Sequence, residues 1–329
     1  MEKVYKWGII GPGRIAQKFA AALQLVPGSM LHAVASRDED RAKQFAQKYN
    51  AAHAYGNYEA IANNSEIDAV YIATPHTYHH AHAVLCLRNK KAVLCEKPMS
   101  VNFSSTAEIV LAARENDSFL MEAMWSRFLP IIEKTMELVN AGEVGEIKYV
   151  SADFGFVAPF DKNSRLYNMS LGGGSLLDVG IYPLFLVLLL LGKPDEIKAF
   201  SQLAVTGADE TTNAMLFYKN GIMANILSSI TAQTPITAAI TGTKGTIFLD
   251  RPWYKGSQIS IRKNDLVTDT FSLPYGDNGF EFQIQEVQDC LEQGLKESPK
   301  MPLSLSLLLS DVMDDICRLG NIRYSINPA

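Results

Sequence analysis

The stretch "GIIGPGRIA", residues 8–16, decides the fold. It begins inside an apolar run, residues 4–10, that reads as a buried strand, and it ends where a helical pattern starts near Arg14. Between them, Gly11-Pro12-Gly13-Arg14-Ile15-Ala16 fits G-x-G-x-x-(G/A). Gly11 permits a tight turn, Gly13 lets the backbone approach a pyrophosphate, and Ala16 allows a helix to pack closely on a sheet. The N–H groups and positive dipole end of the helix favour a phosphate there. Gly11, Gly13, Arg14 and Ile15 are therefore candidate cofactor contacts. Alone, such a motif is weak; its place between strand and helix at the head of a βαβ series gives it weight.

That series continues through the first third of the chain. Strands are expected at 4–10, 30–35, 69–72, 92–95 and 119–122, and helices at 14–25, 39–49, 58–63, 79–88 and 104–115. Near-continuous apolar strands alternating with helices predict a parallel sheet covered on both faces. After a helix at 130–141, stopped by Gly142, the pattern changes. Strand-like runs come at 146–156, 197–205, 211–218, 222–229, 236–241, 246–249, 258–262 and 266–271. Asn220-Gly221 and Lys263-Asn264-Asp265 mark hairpins between neighbouring runs. Helices are expected at 174–191, 280–293 and 304–319. The fold class is thus an α/β Rossmann domain, residues 1–122, followed by an α+β domain, residues 123–329. The second domain has a large, mostly antiparallel open sheet and is assigned substrate binding and dimerisation. The chain's own helices cover one face of that sheet, so the other face predicts a homodimer.

Composition agrees with two packed cores. The chain has 329 residues, 47% hydrophobic, with a net charge of −5; at roughly 150 residues per domain, two domains are expected. No basic run points to nucleic acid. Cys86, Cys95, Cys290 and Cys317 form no CxxC pair, which predicts reduced thiols and a cytoplasmic location. The N-terminus lacks the pattern of a signal peptide. The longest apolar run, 181–191, is short of the roughly 18 residues that span a bilayer and contains Pro183, so it reads as a core helix.

The end of the second strand bears on the choice between NAD and NADP. An acidic residue usually holds the ribose 2′-OH of NAD there. This chain has Ala35-Ser36-Arg37, with Arg41 a turn later. A hydroxyl and two guanidinium groups suit a 2′-phosphate, so NADP is expected over NAD. The alternative is that both arginines pair with Asp38, Glu39 or Asp40. Four histidines crowd into "TPHTYHHAHA": His76, His79, His80 and His82. A metal site there is not expected, because no carboxylate or cysteine is near in sequence and the cluster follows a strand end beside the expected cofactor. Thr74, with His76 and His79 after it, instead ends a strand beside the expected cofactor.

"LCEKPMS", residues 94–100, places Glu96 and Lys97 at the mouth of an apolar strand, locked by Pro98. Burying an unpaired ammonium is costly, so a role for Lys97 is expected. Asp178 and Tyr182, four apart, would share one side of a helix. Trp125, Phe154, Phe156 and Phe280 are candidate apolar walls, and Arg127, Arg165 and Tyr167 could reach substrate hydroxyls. Arg165 lies in a polar loop, "PFDKNSRLYNM", long enough for a lid. The "GGG" at 172–174 allows close approach to cofactor or substrate, or is only a loop.

Taken together, "GIIGPGRIA", "ATPHTYH" with "LCEKP", and "GGGSLLDVGIYP" resemble the Gfo/Idh/MocA oxidoreductases over essentially the whole chain. Within that family the chain looks most like the dimeric dihydrodiol dehydrogenase and NADP-linked D-xylose dehydrogenase branch. "FLMEAMWSRFLP", "TGTKGTI", "ESPKMPL" and Tyr182 carry that likeness. The resemblance implies a cis Pro98, Lys97 facing the cleft beside the nicotinamide, and Glu96 on a cofactor ribose. It also implies that aromatics matching Trp125, Phe154 and Phe280 line the substrate pocket. Most sugar-oxidising members have histidine at the place of Tyr182, so a tyrosine-based proton relay is expected here. An ammonium nearby favours the phenolate and makes Tyr182 a workable acid/base. The implied activity is NADP(H)-dependent hydride transfer to or from a secondary hydroxyl or carbonyl of a cyclic diol or sugar, without a metal. Lys97, Tyr182 and Asp178 form the implied catalytic set. A non-catalytic NAD(P) sensor on the same fold is the rival; retention of all three residues disfavours it. An enzyme that never releases its cofactor would need a clamping arm, and the sequence ahead of the first strand is too short for one.

Overall fold

The computed structural model describes residues 3–264, 266–276 and 278–324. They divide into two compact units: 3–125 with 278–307, and 126–276 with 308–324. The second unit is therefore not one continuous stretch from residue 123. Helix Phe280–Glu292 returns to the first unit because its apolar side packs on helix Arg14–Leu23, and the Leu120 N–H donates to the Lys296 carbonyl (3.0 Å).

In the first unit the order is β1 (Tyr5–Ile10), α1 (Arg14–Leu23), β2 (Ser29–Ala35), α2 (Glu39–Lys48), β3 (His53–Tyr55), α3 (Glu59–Asn63), β4 (Ala69–Ile72), α4 (His79–Arg88), β5 (Ala92–Glu96), α5 (Phe103–Glu115) and β6 (Leu120–Ala123). All six strands run parallel in the order β3-β2-β1-β4-β5-β6. That is the doubly wound order whose ligand crevice opens at the carboxyl ends of the strands. Ile10, Val70, Ile72, Val93 and Leu120 build the core on one side of it, with Ala83, Leu87, Ile109 and Val110 from the helices. The edge strand β3 escapes a reading by pattern: three half-buried residues carry no periodicity.

The second unit begins with α6 (Pro130–Asn140), then β7 (Ile147–Gly155), α7 (Ile181–Leu191), β8 (Glu196–Leu203), β9 (Asp209–Phe217), β10 (Met223–Ser229), β11 (Ala238–Gly242), β12 (Thr246–Leu249), β13 (Gln258–Lys263) and β14 (Leu266–Ser272). Helices α8 (Phe280–Glu292) and α9 (Leu303–Leu319) follow. The eight-stranded sheet has the order β14-β13-β12-β11-β7-β10-β9-β8. Its pairs are antiparallel except β7–β10, where Tyr149 faces Met223 and Phe154 faces Ser228 in parallel register. Asn220-Gly221 sits in the β9–β10 turn, with Gly221 at φ 83°. The third residue of the β13–β14 turn signal, Asp265, lies outside the described residues.

Alternation along the strands gives this sheet two unlike faces. Val150, Ala152, Ala214, Leu216, Ala224, Ile226 and Ile240 are buried, and α7 packs on β7 and β10. Tyr149, Met215 and Met223 point the other way and are exposed, as is Phe200 at 87%. The apolar stretch 169–191 is apolar enough on average to pass for a membrane span, yet 83% of its most apolar window is buried inside the fold. It is not one continuous helix. Residues Leu176–Gly180 form a π-helical turn ahead of α7. Pro183 has no N–H to give the Val179 carbonyl, so a regular α-turn cannot close there. The turn is tied down by the buried Asp209, which accepts from the Leu176 N–H (2.8 Å), the Ser175 hydroxyl (2.7 Å) and the Thr212 hydroxyl (2.7 Å).

Candidate functional site

The turn after β1 has the shape its glycines predict. Gly11 sits at φ 87°, and a Cβ there would lie 2.8 Å from Thr74 Cγ2 and 3.0 Å from the Ala73 carbonyl. The turn is thus pressed against the end of β4, which is how Thr74 joins this site. Gly13 differs: a Cβ on it would meet nothing closer than 4.0 Å, so its backbone faces open space. It caps α1 with no side-chain bond to the helix N–H groups, and no acidic residue lies in the first turn. Arg14 is exposed and Ile15 half-buried there. Free N–H groups, a positive helix end and an uncrowded glycine fit a pyrophosphate.

At the end of β2, Ser36 is buried and its hydroxyl accepts from the Asp38 N–H (3.2 Å). Asp38 caps α2 by accepting from the Arg41 N–H (3.1 Å), and Glu39 pairs with Lys43 (2.8 Å). Among the described residues, neither the Arg37 nor the Arg41 guanidinium has a carboxylate partner. Arg37 lies over the Tyr78 ring at 5.6 Å. Asp38 and Glu39 are thus engaged by the cap and by Lys43, and the two guanidinium groups are exposed, in a form that suits a phosphate.

The end of β5 is held from three sides. The Lys97–Pro98 peptide is cis, as the resemblance implies. Glu96 is buried; Tyr71 donates its hydroxyl to Oε1, and the Lys97 N–H donates to Oε2 (3.2 Å). Glu122, on β6 and 2% exposed, accepts from the Met99 N–H at 2.8 Å. Burial pushes the Glu122 carboxyl up to about 7, with Glu96 nearby acting in the same direction and Lys97 opposing it. His79 is fully buried and its two ring nitrogens lie 2.8 Å from the carbonyls of Pro98 and Thr74. It therefore joins the β4 end to the lysine loop and presents no ring nitrogen outward, which corrects the expectation of a direct cofactor contact. Burial holds its pKa below the usual histidine value, against the pull of the two carbonyls. His82 sits 3.0 Å from the Thr74 hydroxyl and is lowered to about 4 by burial. His76 is half-buried, and His80 pairs with Glu108 (2.8 Å). The four histidines thus do separate jobs and do not converge on one point.

In the second unit, Tyr182 on α7 belongs to an aromatic cluster. Its ring lies 5.7 Å from Phe154 and 5.3 Å from Tyr254, and Phe154 stacks on Tyr254 at 4.1 Å. Phe156 borders the cluster, 6.5 Å from Phe154. Burial, with Tyr275 and Asp178 adding, raises the Tyr254 phenol to about 12, so it stays protonated near neutrality. Asp178, in the π-helical turn, is gripped by both Arg165 nitrogens at 2.7 and 3.2 Å. Arg165 is thereby placed as the orienting partner of Asp178. Arg127 is mostly buried and pairs with Glu133 (2.9 Å). Tyr167 is buried and its hydroxyl donates to the Ala158 carbonyl (3.4 Å). Of the candidate apolar walls, Trp125 stacks on Phe280 at 5.2 Å in the first unit, while Phe154 and Phe156 belong to the second. Gly173 and Gly174 are required by the chain itself: a Cβ on Gly174 would collide with the Asp209 carboxylate, and one on Gly173 would lie 2.9 Å from the Asn168 nitrogen.

Reading by sequence passed over Tyr71, Glu122 and Tyr254, and gave His82 no place beyond the histidine cluster. Only Glu122 carried a signal, a carboxylate inside the apolar run "FLMEAM". The others take their places from packing.

Comparison with known proteins agrees with this geometry. Residues 5–124 match the family described as "Oxidoreductase family, NAD-binding Rossmann fold", and residues 132–248 match the "GFO/IDH/MocA C-terminal domain". The chain is 37% identical to trans-1,2-dihydrobenzene-1,2-diol dehydrogenase of Mus musculus, over 94% of this chain and 95% of the relative. It is also 37% identical to the enzyme of that name from Xenopus laevis, over 97% and 99%. Among solved structures, a 3-ketoreductase from Actinomadura kijaniata in complex with NADP and TDP-benzene matches with a TM-score of 0.88 and 25% identity, over 99% of this chain and 100% of that one. The chain belongs to the Gfo/Idh/MocA oxidoreductase family and is an NAD(P)-dependent oxidoreductase acting on CH–OH groups.

Proposed function

Given that membership, we propose that the chain interconverts a secondary hydroxyl and a carbonyl on a cyclic diol or sugar, using NADP(H). The observation that carries the substrate class is the 37% identity, over nearly the whole length, to enzymes named for a cyclic trans-diol. The aromatic cluster of Phe154, Tyr182 and Tyr254 supports it, since flat apolar walls suit a cyclic substrate. Preference for NADP rests on Ser36, Arg37 and Arg41, with Gly11, Gly13, Arg14 and Ile15 on the pyrophosphate and Thr74, His76 and Glu96 nearer the nicotinamide end.

When bound, the nicotinamide supplies or accepts the hydride. In this reading Lys97 places positive charge at the oxygen that becomes an alkoxide, and Tyr182 moves the hydroxyl proton. Asp178, oriented by Arg165, holds a substrate hydroxyl. Trp125, Phe154 and Phe280 contribute apolar contacts, and Arg127 a polar one. His79, Tyr71 and Glu122 hold the Lys97 loop in place. We further infer a homodimer through the exposed face of the eight-stranded sheet and a cytoplasmic location, in keeping with four free, buried cysteines.

The test is a panel of trans-dihydrodiols, aldoses and dicarbonyls, each with NADP(H) and NAD(H). Turnover of a cyclic diol or aldose with NADP⁺, abolished by Lys97→Met while NADPH still binds, is the expected outcome. Absence of turnover across the panel, or undiminished turnover in Lys97→Met, overturns the reading.

A further inference from the structure

A second cluster of ligating side chains lies in the first unit, away from the carboxyl ends of the strands. His32 is on β2, His53 opens β3, and Glu66 is in the loop leading to β4. One ligand atom from each lies within 4.8 Å of the others. We propose that His32, His53 and Glu66 form a binding site for a divalent transition-metal cation of the zinc class, with one coordination position left open to solvent.

The sheet register explains how His32 is aimed there. Trp7 pairs with Leu31 and Gly8 with Ala33, so His32 is the extra residue of a bulge between β1 and β2. A bulge turns its side chain out of the regular alternation, and such bulges recur where a side chain is re-aimed for a purpose. His32 is only 5% exposed. Neither of its ring nitrogens has a hydrogen-bond partner among the described residues. A buried imidazole without a partner is costly, unlike the satisfied core histidine that is the usual finding. The nearest acceptor, Glu66 Oε2, is 3.4 Å from Nε2, too poorly aligned to count as a bond. For a tetrahedral zinc with bonds near 2.0–2.1 Å, two ligand atoms should be about 3.3 Å apart, which this pair matches.

The charged groups around the three side chains are arranged as a cation site needs. Glu66 divides its two oxygens: Oε1 takes Lys6 Nζ at 2.7 Å, leaving Oε2 on the histidine side. Lys6 adds positive charge, but Glu66 and Asp68 answer it; the Asp68 carboxylate accepts from the Lys6 N–H at 2.8 Å and lies 3.4 Å from Lys3. The His53 ring lies edge-on to His32 at 4.9 Å and parallel to Tyr55 at 5.9 Å, which fixes its orientation. His53 is half-buried and Glu66 exposed, so a cation can enter from solvent. The cofactor turn follows β1 and Ser36 follows β2, whereas Glu66 precedes β4. The site is therefore apart from the candidate chemistry and would pin the three-residue edge strand β3 to its neighbours.

Calorimetric titration of the tag-free full chain with Zn²⁺, with Co²⁺ as a spectroscopic probe, tests this. One tight equivalent is expected, together with the visible bands of tetrahedral Co²⁺ and a rise in Tm. His53→Gln and Glu66→Gln, at partly exposed positions that leave the core intact, should each weaken binding by at least about tenfold, or about 1.4 kcal/mol. His32→Gln should do the same, and His80→Gln should change nothing. No saturable binding, or binding that survives His53→Gln and Glu66→Gln undiminished, overturns the proposal.

Discussion

At the scale of the residue, Glu122, the Arg37–Arg41 pair and Tyr182 each give an expectation that can be measured. Glu122 is buried, and its carboxyl sits at about 7 against a reference of 4.5. A raised carboxyl pKa means the folded chain holds a proton that the unfolded chain has lost. Stability from this source is complete below about pH 4.5 and is lost as pH rises through about 7, on the order of 3 kcal/mol in all. Glu122→Gln keeps the acceptor for the Met99 N–H and cannot ionise. The variant should therefore gain in urea midpoint over the parent between pH 5 and pH 8; midpoints that fall in parallel would refute it. Asp209, raised to about 6 chiefly by burial, leaves a smaller slope of the same sign in both proteins. Arg37 and Arg41 give the second expectation. NADPH should bind at least about tenfold tighter than NADH, and removing both guanidinium groups should erase most of that difference. Fluorescence titration of both cofactors measures it, and equal affinities in the parent would end the 2′-phosphate reading. For Tyr182→Phe, a fall in kcat of about 10²–10⁴ is expected on the best substrate, with loss of one limb of the pH–rate profile. Near-normal kcat would make Tyr182 a wall residue.

At the scale of the element, the turn between β1 and α1 is the least forgiving. Gly11→Ala would place a methyl 2.8 Å from Thr74 at a φ of 87°, where an L side chain is strained. The strain alone costs about 1 kcal/mol, and the turn cannot shift without moving the end of β4. NADPH affinity should fall by about tenfold or more with little change in the far-ultraviolet spectrum. Gly13→Ala meets no protein atom within contact range, so any loss of cofactor binding there reports on the ligand and not on folding. The contrast between the two variants, read by cofactor titration and thermal melts, separates the turn's structural glycine from its binding one.

At the scale of the whole molecule, the sheet of the second unit leaves one face without cover from its own helices. Tyr149, Met215, Met223 and Phe200 lie on it, with an Asn213–Asn225 amide pair among them. An apolar patch of this kind marks an interaction surface more often than free solvent. In the proposed twofold dimer this patch would meet its own copy. Light scattering at micromolar concentration should give twice the 36.3 kDa chain mass, and Phe200→Asp with Met215→Asp should give the single mass. A monomeric parent rules the dimer out.

Local chemistry was enough to read the Rossmann half and most of the second sheet. Gly11, Gly13 and Ala16 announce themselves because a turn and a close helix leave glycine and alanine as the fitting residues. The strands at 69–72 and 246–249 and the helix at 79–88 stand where their patterns place them, because burial on two faces or one leaves a periodic trace. What pattern could not reach depends on contacts between residues far apart in sequence. Strand β3 is defined by pairing with β2, not by its own three residues. The π-helical turn at Asp178 follows from a proline four residues past Val179 and from an aspartate on β9. His79 became a brace only once the chain at Thr74, five residues before it, and at Pro98, 19 residues after it, met on either side of its ring. The grouping of His32, His53 and Glu66 likewise exists only through a bulge and the parallel register of neighbouring strands. Periodicity records which face of an element is buried; it holds no record of which distant residue is buried against it.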